Sequence, residues 1–288
     1  MSEPSTATAA LLALGALLRI RCPGAPVAWL DQAIERIQTA ARPQAPLAQS
    51  FAAAARHLGM DPLGAAAARF DTPCGPLDAS RWQPGDAGRA LLLAAAIRQV
   101  GDAWVDLIEA LYRDGDEGER ASLVRALCLT PQPCRLLELA RAAGRITSLR
   151  LYAALALDNP FPAACYPEHD FNGMVVKCLF NGLPVGRISG LAGRANPDLS
   201  RMCEDYREER RLAARAIPAD IWLPLVPYAS PGGLVLALEQ TGCADPEHRY
   251  YAVLALSARR SEPRIAQALA ARRGVEPDPR VAALLHPA

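Results

Sequence analysis

The sequence predicts an all-α protein, and three observations predict it. Apolar residues make up 51% of the chain but aromatics only 6%, and the apolar share is dominated by alanine and leucine, which favour helices over strands. Proline and glycine divide the chain into segments of helical length. Finally, "DEGERASLVRALCLTPQPCRLLELARAAGR" from Asp116 echoes "DPEHRYYAVLALSARRSEPRIAQALAARRG" from Asp245. Each gives an acidic start, an amphipathic helix, a break with proline and a second amphipathic helix. Neither helix of such a pair can bury its apolar face alone, so pairs stack. The expected architecture is stacked antiparallel helix pairs, a HEAT-like α-α superhelical layer arrangement.

Taken in order, helices are expected at about 6–20, 26–41, 46–57, 62–69, 86–100, 102–113, 117–128, 133–143 and 146–157. The stretch 70–86, "FDTPCGPLDASRWQPGD", is rich in proline and glycine and reads as a loop. Helices at about 168–182 and 197–215 follow, then 219–227, 231–240, 246–258, 261–273 and 278–285. The chain is read as an N-terminal helical region, 1–85, and a repeat-like region, 86–288, that together form one continuous all-α domain.

Thirty-one basic residues against thirty acidic ones leave a net charge of +1. Nothing global draws such a chain to nucleic acid or to an anionic membrane. The apolar run "ATAALLALGALL" follows Glu3 and precedes Arg19 and Arg21, and it is shorter than the roughly 20 residues a span requires. It reads as a first core helix, without membrane insertion. The eight cysteines show no C-x-x-C pair. They are read as free thiols, several on apolar helix faces, which fits a reducing cytoplasm.

One stretch departs from this background. Between Asp158 and Arg211, asparagine, glycine, histidine and the only lysine, Lys177, gather. On the helix expected at 168–182, Phe171, Met174, Val175, Cys178 and Leu179 form an apolar face, which leaves a narrow polar strip of Asp170, Gly173, Lys177 and Asn181. Asn172 projects into the apolar arc, so its amide must find partners inside, for example in the segment "DNPFPAACYP" that holds Asp158 and Asn159. Asn196 followed by Pro197 is a strong helix start, with Arg187 and Arg194 just upstream. That combination suits a phosphate or carboxylate. It matches neither the P-loop nor the dinucleotide fingerprint, and no cofactor is expected. On the next helix Tyr206 faces inward and Arg210 lies one turn on, where an arginine pairs with a carboxylate such as Asp158, Glu168 or Asp170, while Arg207, Glu208 and Arg211 face out. "CYPEHD" offers Cys165 and His169, but Pro167 breaks their helical face and no second histidine is near, so no metal site is expected.

From Ala154 to Trp222 the sequence resembles the EboA family, most distinctively in "DNPFPA", "FNGMVVKCLF", "RANPDLSRM" and "DYREERR". Where the family pattern carries a larger polar residue such as glutamine after the asparagine, this chain has Gly173. The resemblance implies a cytoplasmic component of a pathway that makes a small metabolite and hands it towards the membrane. Its genes typically sit beside those for a TatD-like metal hydrolase, a UbiA-like prenyltransferase, a dehydroquinate-synthase-like cyclase and sugar-isomerase-like and phosphodiesterase-like proteins. Two functions follow as expectations. The first is an accessory protein without catalysis that binds an anionic metabolite, or another protein of that cluster, through Asp158, Asn159, His169, Asp170, Asn172, Lys177, Asn181, Arg187, Arg194, Asn196, Tyr206 and Arg210. The alternative is an enzyme acting on a phosphorylated or carboxylated cyclitol-like intermediate, in which Arg187, Arg194 and Asn196 hold the anion, His169 or Asp170 is the acid/base group and Lys177 stabilises charge.

Overall fold

The computed structural model describes residues 5–64 and 68–286. The chain forms two compact units, Met1–Tyr166 and Pro167–Ala288. Both are built of helices, and the only sheet among the described residues is a two-stranded hairpin in the first unit.

In the first unit, helices α1 (Thr6–Arg21), α2 (Ala25–Thr39) and α3 (Gln44–Leu58) precede the hairpin of β1 (Arg69–Thr72) and β2 (Gly75–Asp78). Then come α4 (Pro84–Val100), α5 (Trp104–Asp114), α6 (Glu117–Ala126), α7 (Leu137–Arg145), α8 (Leu149–Ala156) and the short α9 (Phe161–Cys165). Helix α4 is the hub, packed by α1, α2, α3 and α6. Its small residues allow this: a Cβ at Gly85 would lie 2.9 Å from the Ala55 Cα, so α3 and α4 meet nearly backbone to backbone.

The helix expected at 62–69 does not form. Residues 62–64 are not helical, Arg69 begins β1, and 65–67 lie outside the described residues. The stretch read as a loop holds the hairpin instead, with Phe70 opposite Leu77 and Thr72 opposite Gly75. Alternation decides this locally: Phe70, Thr72 and Leu77 point inward, while Arg69 and Asp71 are exposed. The turn is closed by the Thr72 hydroxyl, which donates to the Gly75 carbonyl at 2.7 Å. Leu63 and Gly64 extend the pairing by donating to the carbonyls of Trp82 and Ser80. Pro62 and the left-handed Gly64 (φ +86°) keep residues 62–64 out of a helix.

The free-thiol reading fails for two of the eight cysteines. Cys134 and Cys165, 31 residues apart, form a disulfide that ties α9 to the 3-10 turn Pro133–Leu136. Cys128, Cys178 and Cys203 are buried outside any disulfide and pack as small hydrophobes.

The second unit contains α10 (Glu168–Phe180), α11 (Pro197–Leu212), α12 (Trp222–Leu225), α13 (Pro231–Gln240), α14 (Pro246–Ser257), α15 (Pro263–Arg273) and α16 (Pro279–Leu285). Its core gathers Phe171, Leu199, Trp222, Leu225, Leu256, Ile265 and Val281. The helix expected at 219–227 is broken into two 3-10 turns flanking α12, since Pro224 and Pro227 each remove a backbone donor. Both halves of the internal echo start on an aspartate cap: Asp116 accepts from the Glu119 amide at 2.8 Å and Asp245 from the Glu247 amide at 2.9 Å. No described helix is long and apolar enough to cross a membrane.

Candidate functional site

The polar stretch is divided between the units. Asp158 and Asn159 belong to the first and support its turn into α9. Asp158 adopts a left-handed backbone (φ +53°) and lies 3.9 Å from Arg81. Asn159 is buried, donating to the carbonyls of Val124 and Ala154 and accepting from the Phe161 amide. Its amide is therefore satisfied by backbone, as a buried amide must be.

The remaining candidates lie in the second unit, on α10, α11 and the link between them. Asn172 of α10 and Asn196 pair reciprocally: the Asn172 Nδ2 donates to the Asn196 Oδ1 at 3.0 Å, and the Asn196 Nδ2 returns a bond of 2.9 Å to the Asn172 Oδ1. Asn196 also caps α11 by accepting from the Leu199 amide at 2.8 Å and donates to the Arg194 carbonyl. The partner of Asn172 is thus a capping side chain. Seven residues along α10, the Leu179 carbonyl accepts from the Tyr206 hydroxyl at 3.4 Å. Start meets start and later turns meet each other, so α10 and α11 run in the same sense, and the link 181–196 must return along them.

That link carries the basic residues. The Arg194 guanidinium lies over the Phe171 ring, 4.7 Å from its centre. Asp170, Lys177, Arg187 and Arg194 are half-buried, each engaged by neighbours. His169 and Asn181 are exposed. A Cβ at Gly173 would meet nothing within 4 Å, so a larger residue fits there without rearrangement.

Arg210 departs from expectation. Its Nε donates to the Ala216 carbonyl at 2.8 Å and its guanidinium stacks on Tyr206; no carboxylate among the described residues pairs with it. The reason is the end of α11, where Ala214 takes a left-handed conformation and the Arg215 amide reaches back to the Arg210 carbonyl. This closed turn brings the Ala216 carbonyl within reach of Arg210. For Cys165, the disulfide removes the thiolate a metal would need.

Two features escaped sequence reasoning. Asp220 anchors the 3-10 turn Val185–Arg187 by accepting from the Val185 amide at 2.7 Å. Burial pushes its carboxyl above the ordinary aspartate value against that bond. Next to it, the Trp222 Nε1 donates to the His248 Nδ1 at 3.2 Å. The other feature is Arg207, expected to face out. Its guanidinium lies over Trp222, 5.8 Å from the ring centre, and its Nε is fully buried without an acceptor among the described residues. Arg207 lines a recess of about 290 Å³ with Glu204, Leu225, Ser230 and Gly233. The only sequence signal for this is the Trp222 face, since the helical period of α11 alone turns Arg207 to its edge.

No curated protein and no solved structure matches the chain. A family model described as "Metabolite traffic protein EboA" matches residues 13–226, a span that takes in the paired asparagines, the basic link, Arg207 and Asp220. With about three quarters of its length matched, the chain belongs to the EboA family.

Proposed function

We propose that the protein is an accessory protein without catalysis of its own, which binds a small polar metabolite of the pathway its family serves and presents it to a partner protein. The observation that carries this reading is Arg207. A buried N–H without an acceptor costs about 1–3 kcal/mol, and such a group in a native fold calls for an explanation. In the recess beside Arg207 the opposing Glu204 is already occupied by the Ser230 amide, 2.7 Å away. A ligand acceptor in the recess would meet the guanidinium that lines it, while Nε itself is covered. Lys177, Arg187 and Arg194, with Asn172 and Asn196 as their support, are the further contacts we assign to an anionic metabolite.

Native mass spectrometry of the full chain, gently purified from its own cells, tests the reading. A small-molecule mass excess is expected on the wild type and lost in Arg207→Met, while the thermal midpoint of that variant stays level or rises, because an unsatisfied donor has been removed. An excess that survives in Arg207→Met, or none at all, defeats metabolite binding at this site.

We also propose the cytoplasm as its compartment, on the strength of six cysteines that stand outside any disulfide. Cys134 is exposed, so its disulfide with Cys165 is open to reduction there. Both thiols are then expected to alkylate in freshly lysed cells under acid trapping; a bond that resists labelling places the protein in an oxidising compartment.

A further inference from the structure

The first unit carries a recess of its own, of about 360 Å³, lined by Gln83, Arg89, Asp116, Glu117, Gly118 and Arg150. Its floor is Arg89, only 7% exposed. The Arg89 Nε donates to the Phe51 carbonyl at 2.8 Å and Nη1 to the Ser122 hydroxyl at 2.9 Å. No described residue accepts from Nη2, and Arg89 is one of the residues that line the recess.

Above it stands the first turn of α6. Asp116 caps that helix through the Glu119 amide, but the Glu117 and Gly118 amides donate to no described residue. Free amides at a helix start attract anions, and here they share a recess with the buried guanidinium. Arg150 closes the rim: its Nη2 would lie 3.4 Å from a Cβ at Gly118, and the Asp116 Oδ1 3.3 Å. The missing side chain of Gly118 keeps the space between Arg150 and the amides open.

The charges around the recess select the ligand. Two guanidinium groups, Arg89 and Arg150, face Asp116 and Glu117 at the rim, while Asp86 and Glu119 also act on Arg89 from behind; Glu117 already accepts from the Ser148 hydroxyl. A dianionic phosphate would meet repulsion from both rim carboxylates. A single carboxylate can span a guanidinium fork and a backbone amide, while the rim carboxylates and Gln83 take up neighbouring hydroxyls. The volume falls within the usual range for small-molecule sites. We infer that this recess binds a small hydroxylated monocarboxylate, independently of the Arg207 recess of the second unit.

Sodium gluconate is a suitable probe, with sorbitol as its uncharged counterpart and inorganic phosphate as the dianion. In amide-resolved NMR of the full chain, gluconate is expected to give saturable shifts at Glu117 and Gly118. Binding should weaken at least tenfold in Arg150→Ala, and sorbitol and phosphate should bind at least tenfold more weakly than gluconate. Arg89 also holds the core together, so the exposed Arg150 is the residue varied, and its unchanged spectrum elsewhere confirms the fold. The inference is overturned by an absence of saturable shifts, by equal affinity in Arg150→Ala, or by sorbitol or phosphate binding as tightly as gluconate. These amides lie in the first unit, so neither result depends on whether Arg207 binds a metabolite.

Discussion

Replacing Glu276 with alanine is expected to destabilise the second unit by about 3–5 kcal/mol, the range for breaking a buried ion pair from one side. The Glu276 side chain is fully buried, and Arg249 is only 8% exposed beside it. Arg249 donates through Nε to both carboxylate oxygens, at 3.2 and 3.1 Å, and through Nη2 at 3.0 Å, while its Nη1 holds the carbonyls of Cys243 and Ala244. Arg272 adds a bond of 2.7 Å and the Asp278 amide one of 2.9 Å. A single carboxylate therefore joins α14, α15 and the start of α16. Without it Arg249 stays charged and buried with only carbonyls to face. Urea unfolding followed by hydrogen exchange in α14 measures the loss, and a loss below about 1 kcal/mol, the range of an exposed pair, would show that the network contributes little.

The same carboxylate sets an acid limit. Burial pushes its pKa up, but the hydrogen bonds from Arg249, Asp278 and Arg272 outweigh burial and hold it below the ordinary glutamate value. A depressed folded pKa means that the unfolded state takes up the proton first. The stabilisation is complete above the unfolded value of about 4.3 and is lost as pH falls through the folded one. Glu276→Gln should therefore show a flatter acid dependence than the wild type, and parallel curves below about pH 4.3 would refute the assignment.

The second large effect is expected at Asp86→Ala, again about 3–5 kcal/mol, now in the first unit. Asp86 sits in the first turn of α4, its side chain 5% exposed. Its Oδ2 accepts from the Gln83 amide at 3.0 Å, and its Oδ1 from the Ser122 hydroxyl at 2.5 Å, with Arg125 at 3.4 Å. Through Ser122 it compensates the buried Arg89, which in turn holds the Phe51 carbonyl of α3. Removing the carboxylate leaves a buried guanidinium without its counter-charge. Asp86→Ala/Arg89→Met should then be more stable than Asp86→Ala alone, because the orphaned charge has gone with its partner. If the double variant is no better in urea unfolding, the cost of Asp86→Ala lies in the helix start, whose loss amounts to about 1 kcal/mol.

The polar residues of the family segment illustrate how far a sequence reading reaches. Asn196 before Pro197 was legible as a helix start because capping is local, and the structure has that cap. That Asn172 needs an interior partner also follows from one helix, but which partner does not: Asn196 is 24 residues away and meets it because α10 and α11 run in the same sense. Arg210 and Arg207 were read from the period of a single helix, which places a side chain on a face without knowing what covers that face. The closed end of α11 supplied a carbonyl to Arg210, and Trp222 drew in Arg207.

Helix composition, proline breaks and aspartate caps are properties of neighbours in the chain, and by themselves they determined the all-α class and most helix limits, while the motifs between Ala154 and Trp222 carried the family resemblance. What only the tertiary structure decided required distant segments to meet: the hairpin in a stretch read as a loop, the disulfide between Cys134 and Cys165, the Glu276 network and both recesses. Each depends on burial or on a partner tens of residues away. Local propensities, at about 1 kcal/mol or less per residue, yield to such contacts, because an unpaired buried group costs about 1–3 kcal/mol and an unpaired buried charge more.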